Sequence, residues 1–264
     1  MRRLVYTSAG NHHNIRQWLR GRTSFDLWVS HYADAPFDLA EHCAYWHARK
    51  GSKFQNLKYL FEQRKTELAR YDAVFVLDDD IHLSGSDIEH LFNLRQQHGL
   101  TVLQPAFMRC GKVSHRHTRF DPRHTLRYTN FVEVTCPLFE TQALLDFLAC
   151  YDGRLVGWGI DWWFMEVLAG RPGFKAAIVD QIPCVNPREV QKGLEQREID
   201  ALQPTDQRHA QWETMRRKLG LTLQDRGAEI TGGLSANLAA RASSRLLALR
   251  RWMEVQRINS RSHA

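Results

Sequence analysis

The chain has 264 residues, 43% of them hydrophobic and 25% charged, with a net charge of +7 and a pI near 9.3. That length suits one large domain or two small ones, and a core that hides roughly 70–75% of the unfolded surface. The composition excludes a disordered chain, a collagen and a coiled-coil rod, and no apolar run approaches the roughly 18–20 residues of a membrane span.

The apolar run after Met1-Arg2-Arg3 is too short for a signal-peptide core. Five scattered cysteines without C-x-x-C spacing predict reduced thiols in a cytosol. The positive charge favours a polyanionic partner. It is concentrated from Met108 to Asn130, with six Lys/Arg against one acid, and from Leu238 to Ala264, with six Arg against one Glu. Neither segment carries a recognition motif or alternates basic with aromatic residues, so nucleic acid is not the expected partner.

In chain order, Leu4–Ser8 reads as a strand, Asn14–Arg20 as a helix and Phe25–Ser30 as a second strand. Lys53–Tyr71 is a long helix with a broad apolar face, and Ala73–Leu77 is a continuous apolar run expected to be buried on both faces of a sheet. A helix follows, with Ser86 as N-cap, Glu89 three residues on and Gly99 as its stop. Leu100–Leu103 returns as a strand, Arg109–Tyr128 reads as a basic loop, and Phe131–Thr135 as another strand. Thr141–Tyr151 and Ile160–Ala169 are helical by period, and Ala176–Asp180 is the last strand. This alternation predicts an α/β fold with a mostly parallel central sheet flanked by helices. Past Pro187 the composition changes: residues 189–219 are polar and helical, 227–233 read as a linker, and an Arg-rich helix begins near Ser235. The predicted division is a domain over residues 1–190 and a helical extension over 191–264.

The most informative residues are Asp78, Asp79 and Asp80, directly after the apolar run. In open α/β sheets ligands bind at the carboxyl ends of strands. Three adjacent carboxylates repel one another, and a hard divalent cation, Mn²⁺ or Mg²⁺, compensates that repulsion with oxygen ligands. A two-residue spacing sets Asp78 and Asp80 on one side of an extended chain and Asp79 on the other. The D-x-D pattern suits a cation-held diphosphate; the plain alternative is a solvated acidic turn. Haloacid-dehalogenase-like phosphatases and nucleotide-sugar-dependent glycosyltransferases of GT-A fold both place D-x-D after an apolar strand. In the phosphatases that strand usually opens the chain, whereas here two strand-like units precede it. The second informative run is Val156-Gly157-Trp158-Gly159-Ile160-Asp161. Its glycines permit close backbone approach, Trp158 offers a flat face that can stack on a sugar, and Asp161 lies in the first turn of a helix.

Gly157-Trp158-Gly159-x-Asp161 resembles the G-W-G-x-D element of domain-of-unknown-function family 707, whose members are glycosyltransferase-like. Tyr71 to Asp80, Lys53, His98-Gly99-Leu100 with Gln104-Pro105, Phe131 to Val134, and Val179-Asp180 match in the same order, over roughly Arg3 to Pro187. The resemblance implies a GT-A-like fold, a nucleotide-sugar donor with UDP favoured, and a metal-dependent, inverting transfer to a glycan or other hydroxyl acceptor. It implies Asp161 as catalytic base, Asp80 as the more direct metal ligand, and Asp78 shared between metal and donor. One departure is Asn186, which stands where the family has a His that would be a third metal ligand. Asn ligates such a cation more weakly, through its amide oxygen, and this keeps a non-catalytic nucleotide-sugar or glycan binder as the alternative.

Thr7, Ser8 and Asn11 after the first strand, Lys53 and Asp79 are the remaining donor-binding candidates, and Trp158, Gly159 and Glu133 the acceptor-binding ones. The Arg109–Tyr128 segment, with His115, His117 and His124, could hold the donor diphosphate or an anionic acceptor. In the tail, Leu238, Leu246, Leu249 and Met253 fall at helical spacing among arginines. Such a helix either lies on an anionic membrane, which suits a cytoplasmic enzyme with a lipid-linked acceptor in polysaccharide synthesis, or packs on its own domain or a second subunit.

Overall fold

A computed structural model describes residues 1–192 and 198–261. The expectations for 193–197 and for the last three residues of the tail therefore lie outside the described residues. The strands are β1 (Arg3–Ala9), β2 (Phe25–His31), β3 (Tyr45–Ala48), β4 (Ala73–Val76), β5 (Val102–Phe107), β6 (His124–Thr129), β7 (Leu138–Glu140), β8 (Ala176–Cys184) and β9 (Ile230–Ser235). They form one sheet in the order β3-β2-β1-β4-β7-β5-β8-β6-β9. β7 runs antiparallel to both β4 and β5, and β6 antiparallel to both β8 and β9, while the other pairings are parallel. All strands except β6 and β7 thus point the same way, as the strand–helix alternation predicts.

The helices are α1 (Ile15–Trp18), α2 (Lys53–Leu68), α3 (Gly85–His98), α4 (Thr141–Cys150), α5 (Ile160–Ala169), α6 (Thr205–Leu219), α7 (Leu223–Arg226) and α8 (Leu238–Arg261). Both sheet faces are covered. Leu4 and Tyr6 of β1 and Val74 and Val76 of β4 join the core beneath α2, α4 and α5. Val5, Ala73 and Phe75 face the other core, beneath α1 and α3. The two-residue side-chain period of a strand explains why continuous apolar runs were required here.

Several elements differ from the sequence expectation. The cap of α3 is Ser84, paired with Asp87 in a capping box, rather than Ser86 with Glu89. Glu89 instead accepts hydrogen bonds from Ser24 and Arg3. Phe131–Thr135 is irregular, not a strand. β6 occupies the end of the segment read as a basic loop, and residues 230–233 of the stretch read as a linker belong to β9, an edge strand on β6. β3 and β7, both short, carry no signal in the sequence pattern.

The extension beyond residue 190 is packed against the rest. Trp212 and Leu223 belong to the core under α4 and α5. α8 buries Ala248 and Val255 against Met108 and Val185. Its buried Arg251 donates to the His82 carbonyl at 2.7 Å and pairs with Asp87 at 2.5 Å. One face of the tail helix is thus packed on its own domain. Among the described residues no helix is long and apolar enough to cross a membrane.

Candidate functional site

β4 ends at Val76, and the chain then turns through Leu77 to the three aspartates. Each aspartate has a different surrounding. The Asp78 carboxylate lies 2.6 Å from the Lys53 ammonium, which sits at the first turn of α2. That ammonium also donates to the carbonyls of Val134 at 2.9 Å, Thr135 at 2.8 Å and Val76 at 3.3 Å. Asp79 is buried and accepts from the Gly10 backbone N–H at 2.9 Å, which ties the end of β1 to the acidic turn. Asp80 is half-buried, and its carbonyl accepts from the Asn14 side chain. Next to this turn, the His82 N–H donates to the Val185 carbonyl at 3.0 Å. That bond draws the segment carrying Asn186, itself buried, alongside the aspartates.

Asp161 sits in the first turn of α5, where the helix dipole favours its ionised form. It is buried and accepts from the Trp162 N–H at 3.0 Å and the Val134 N–H at 3.4 Å. Burial raises its pKa to about 6, against the pull of those backbone donors. Glu133 is also buried and accepts from the Thr118 hydroxyl at 2.7 Å, while Gln104 accepts from its backbone N–H at 2.6 Å. Burial pushes the Glu133 pKa up to about 8; the Thr118 hydrogen bond lowers it and the nearby Asp161 charge raises it. Burial thus raises both carboxyls, and Glu133 holds its proton to higher pH than Asp161 does.

Val134 joins the two halves of the site. Its N–H donates to Asp161 and its carbonyl accepts from Lys53. This explains why residues 131–135, despite β-rich composition, leave the sheet: their backbone groups are claimed by site side chains.

Both glycines of the Gly157-Trp158-Gly159 run have positive φ, near +80° and +83°. A Cβ at Gly159 would lie 2.2 Å from the Trp212 ring of α6. Trp158 is partly exposed and stacks on His209 of the same helix, with ring centroids 3.8 Å apart. α6 thus covers this run, and no sequence signal pointed to His209 or Trp212 as its partners. Thr7 and Ser8 are buried in β1, where Ser8 accepts from Asn56 at 3.0 Å; Asn11 is exposed just beyond the strand. Asp180, in the Val-Asp element, is buried in an ion pair with Arg127 at 2.7 Å and accepts from the Asp121 N–H at 2.8 Å. It anchors the basic segment.

The donor set at the acidic turn consists of hard oxygens, which suits Mn²⁺ or Mg²⁺. Among the described residues no three His, Cys, Asp or Glu side chains group closely enough to hold a metal ion by themselves. A cation here would depend on Asp80, Asn186 and Asp78, the last shared with Lys53, together with ligand oxygens.

No family model and no curated protein matches the chain. Among solved structures, residues 1–349 of S. aureus TarS in complex with UDP align at 10% identity and a TM-score of 0.47, covering 73% of this chain and 62% of that one. The same protein in complex with UDP-GlcNAc aligns at 11% identity and a TM-score of 0.48, covering 76% and 61%. The chain spans about three fifths of the length of these TarS chains. At this level the likeness assigns neither activity nor ligand.

Proposed function

We propose that the chain is a glycosyltransferase that moves a sugar from a nucleotide-sugar donor, with UDP favoured, to a hydroxyl of a glycan or lipid-linked acceptor. The observation that supports this reading best is the Val134 bridge. It links a cation–carboxylate pair at the carboxyl end of a mid-sheet strand to a buried carboxylate with a pKa of about 6 at a helix start. The first is suited to a diphosphate, the second to taking a proton near neutral pH.

In this reading Asp78 accepts from a donor hydroxyl, and Lys53, whose three N–H groups are taken by Asp78 and the backbone carbonyls, holds Asp78 and the 134–135 backbone in place around the donor. Asp161 takes the proton from the acceptor hydroxyl. The acceptor oxygen bonds to the anomeric carbon as the bond to the diphosphate oxygen breaks, and the electron pair leaves with the nucleoside diphosphate. Attack opposite the leaving group inverts the anomeric centre. Protonated Glu133 keeps a second negative charge away from Asp161. Asp78, Asp80 and Asn186 would hold Mn²⁺ or Mg²⁺, which when bound stabilises charge on the leaving diphosphate.

Exposed Leu246, Leu249, Trp252 and Met253 on α8, beside exposed Arg245 and Arg250, support peripheral contact with an anionic membrane from the cytoplasmic side. That location suits the synthesis of a cell-surface polysaccharide. The second reading, a non-catalytic binder of nucleotide-sugar or glycan, is favoured by one residue, Asn186 in place of a stronger ligand.

The test is release of UDP from a panel of UDP-sugars, with Mn²⁺, with Mg²⁺ and with chelator. Turnover that Asp161→Asn removes while UDP still binds supports the enzyme. UDP binding with no turnover of any donor in the presence of candidate acceptors supports the binder.

A further inference from the structure

Trp162, the residue after Asp161, lines a cavity of about 690 Å³ together with His115, Arg116, His117, Gln224, Gly227 and Ala228. We propose that this cavity binds an oxyanion substituent, a phosphate or carboxylate, on a sugar ring. Calling that sugar the acceptor rests on the glycosyltransferase reading; the anion site itself does not.

Three observations support it. First, among the described residues the lining holds one guanidinium and two imidazoles but no carboxylate. Arg116 is exposed, and no carboxylate pairs with it among the described residues. Burial lowers the pKa of both His115 and His117, the latter to about 4, so at neutral pH the imidazoles are hydrogen-bonding groups and Arg116 supplies the charge.

Second, the wall is rigidly built. Arg127 donates to the carbonyls of His117 at 2.8 Å and Arg119 at 2.7 Å while pairing with buried Asp180. Phe131 packs on Trp162 with centroids 4.1 Å apart and on His115 at 4.7 Å. Phe131 thus braces His115 and Trp162, two ring-bearing residues of the lining on which a sugar ring can pack.

Third, part of the lining, Gln224, Gly227 and Ala228, belongs to the C-terminal extension. The Gln224 side-chain oxygen accepts from the Trp212 indole N–H at 2.5 Å. That bond orients the Gln224 amide and leaves its nitrogen, which can only donate, available to a ligand. An amide donor and a guanidinium lining one cavity, with no carboxylate among its described lining residues, select an acceptor-rich, negatively charged group.

The test uses glucose 6-phosphate and glucose as probes, titrated by tryptophan fluorescence or calorimetry with UDP at saturation so that the donor site is filled. UDP affinity is measured first for every variant. The phosphorylated sugar is expected to bind at least about tenfold more tightly than glucose, the scale of one charge-assisted hydrogen bond. Arg116→Ala removes that preference. Gln224→Glu, which retains an oxygen for Trp212 but adds a negative charge, also removes it. Equal affinities, binding of neither probe, or a preference surviving in either variant overturns the proposal. Wild-type protein that fails to bind UDP sinks the donor reading instead; the probes are then titrated without UDP and judge the anion site alone.

Discussion

The Lys53 ammonium and the Asp78 carboxylate, 2.6 Å apart, stand at the junction of α2, β4 and the irregular 131–135 segment. The lysine side chain is 9% exposed and the aspartate 42%. The two substitutions should therefore differ. Lys53→Met leaves the carbonyls of Val76, Val134 and Thr135 without their donor and should cost about 1–3 kcal/mol in urea denaturation. Asp78→Asn should cost less than about 1 kcal/mol, because solvent screens a half-exposed carboxylate.

Asp161→Asn should leave UDP affinity nearly unchanged and reduce transfer by about a hundredfold or more. In the wild type the base must be ionised, so kcat should rise with pH through about 6. A pH-independent rate between 5 and 7 would remove Asp161 from that role.

Glu133 gives a stability test. Its folded pKa of about 8 lies above the ordinary carboxylate value of 4.5, so the folded state holds a proton that the unfolded state releases. Its favourable contribution is fully present below pH 4.5 and is lost as pH rises through about 8. Glu133→Gln cannot titrate. Denaturation across this range should show a shallower fall in stability for the variant than for the wild type.

Gly159→Ala and Gly173→Ala make a matched pair. Both glycines have positive φ, but the added Cβ meets Trp212 at 2.2 Å in the first and nothing within 4 Å in the second. Gly173→Ala should cost about 1 kcal/mol of backbone strain, and Gly159→Ala at least about 1–3 kcal/mol more from overpacking. Equal losses would mean that α6 does not hold its place over the Gly-Trp-Gly run.

The tail helix has two faces, and each can be tested. Deleting residues 238–264 exposes Met108 and Val185 and removes the Arg251 contacts to His82 and Asp87, so it should lower the unfolding midpoint. Leu249→Glu with Trp252→Glu should leave that midpoint nearly unchanged, since both residues are exposed. The double variant should float with anionic vesicles less than the wild type does. Equal flotation would separate α8 from any membrane role.

Much of this arrangement is legible in the sequence because burial on both sheet faces demands continuous apolar runs, as in Ala73–Val76. What escapes is decided by tertiary partners. Phe131–Thr135 has strand composition, yet Lys53 and Asp161 take its backbone groups. β9 reads as a linker because an exposed edge strand needs no apolar face, and two glycines weaken its local signal. The three aspartates announce themselves by mutual repulsion. Their different partners, Lys53 for Asp78 and the Gly10 N–H for Asp79, depend on elements remote in the chain. His115, His117 and Gln224 line one cavity although about a hundred residues of chain separate the histidines from the glutamine, and β6 and β9, which follow them in the chain, pair at the sheet edge.

The most direct test of the central claim is a calorimetric titration of UDP into the wild type, Lys53→Met and Asp161→Asn, each with Mn²⁺ and with chelator. Saturable binding to the wild type is expected, weakened at least about tenfold in Lys53→Met, which leaves Asp78 and the 134–135 backbone without their shared donor, and retained in Asp161→Asn. No heat of binding to a folded wild type, or equal affinity in Lys53→Met, would contradict that claim.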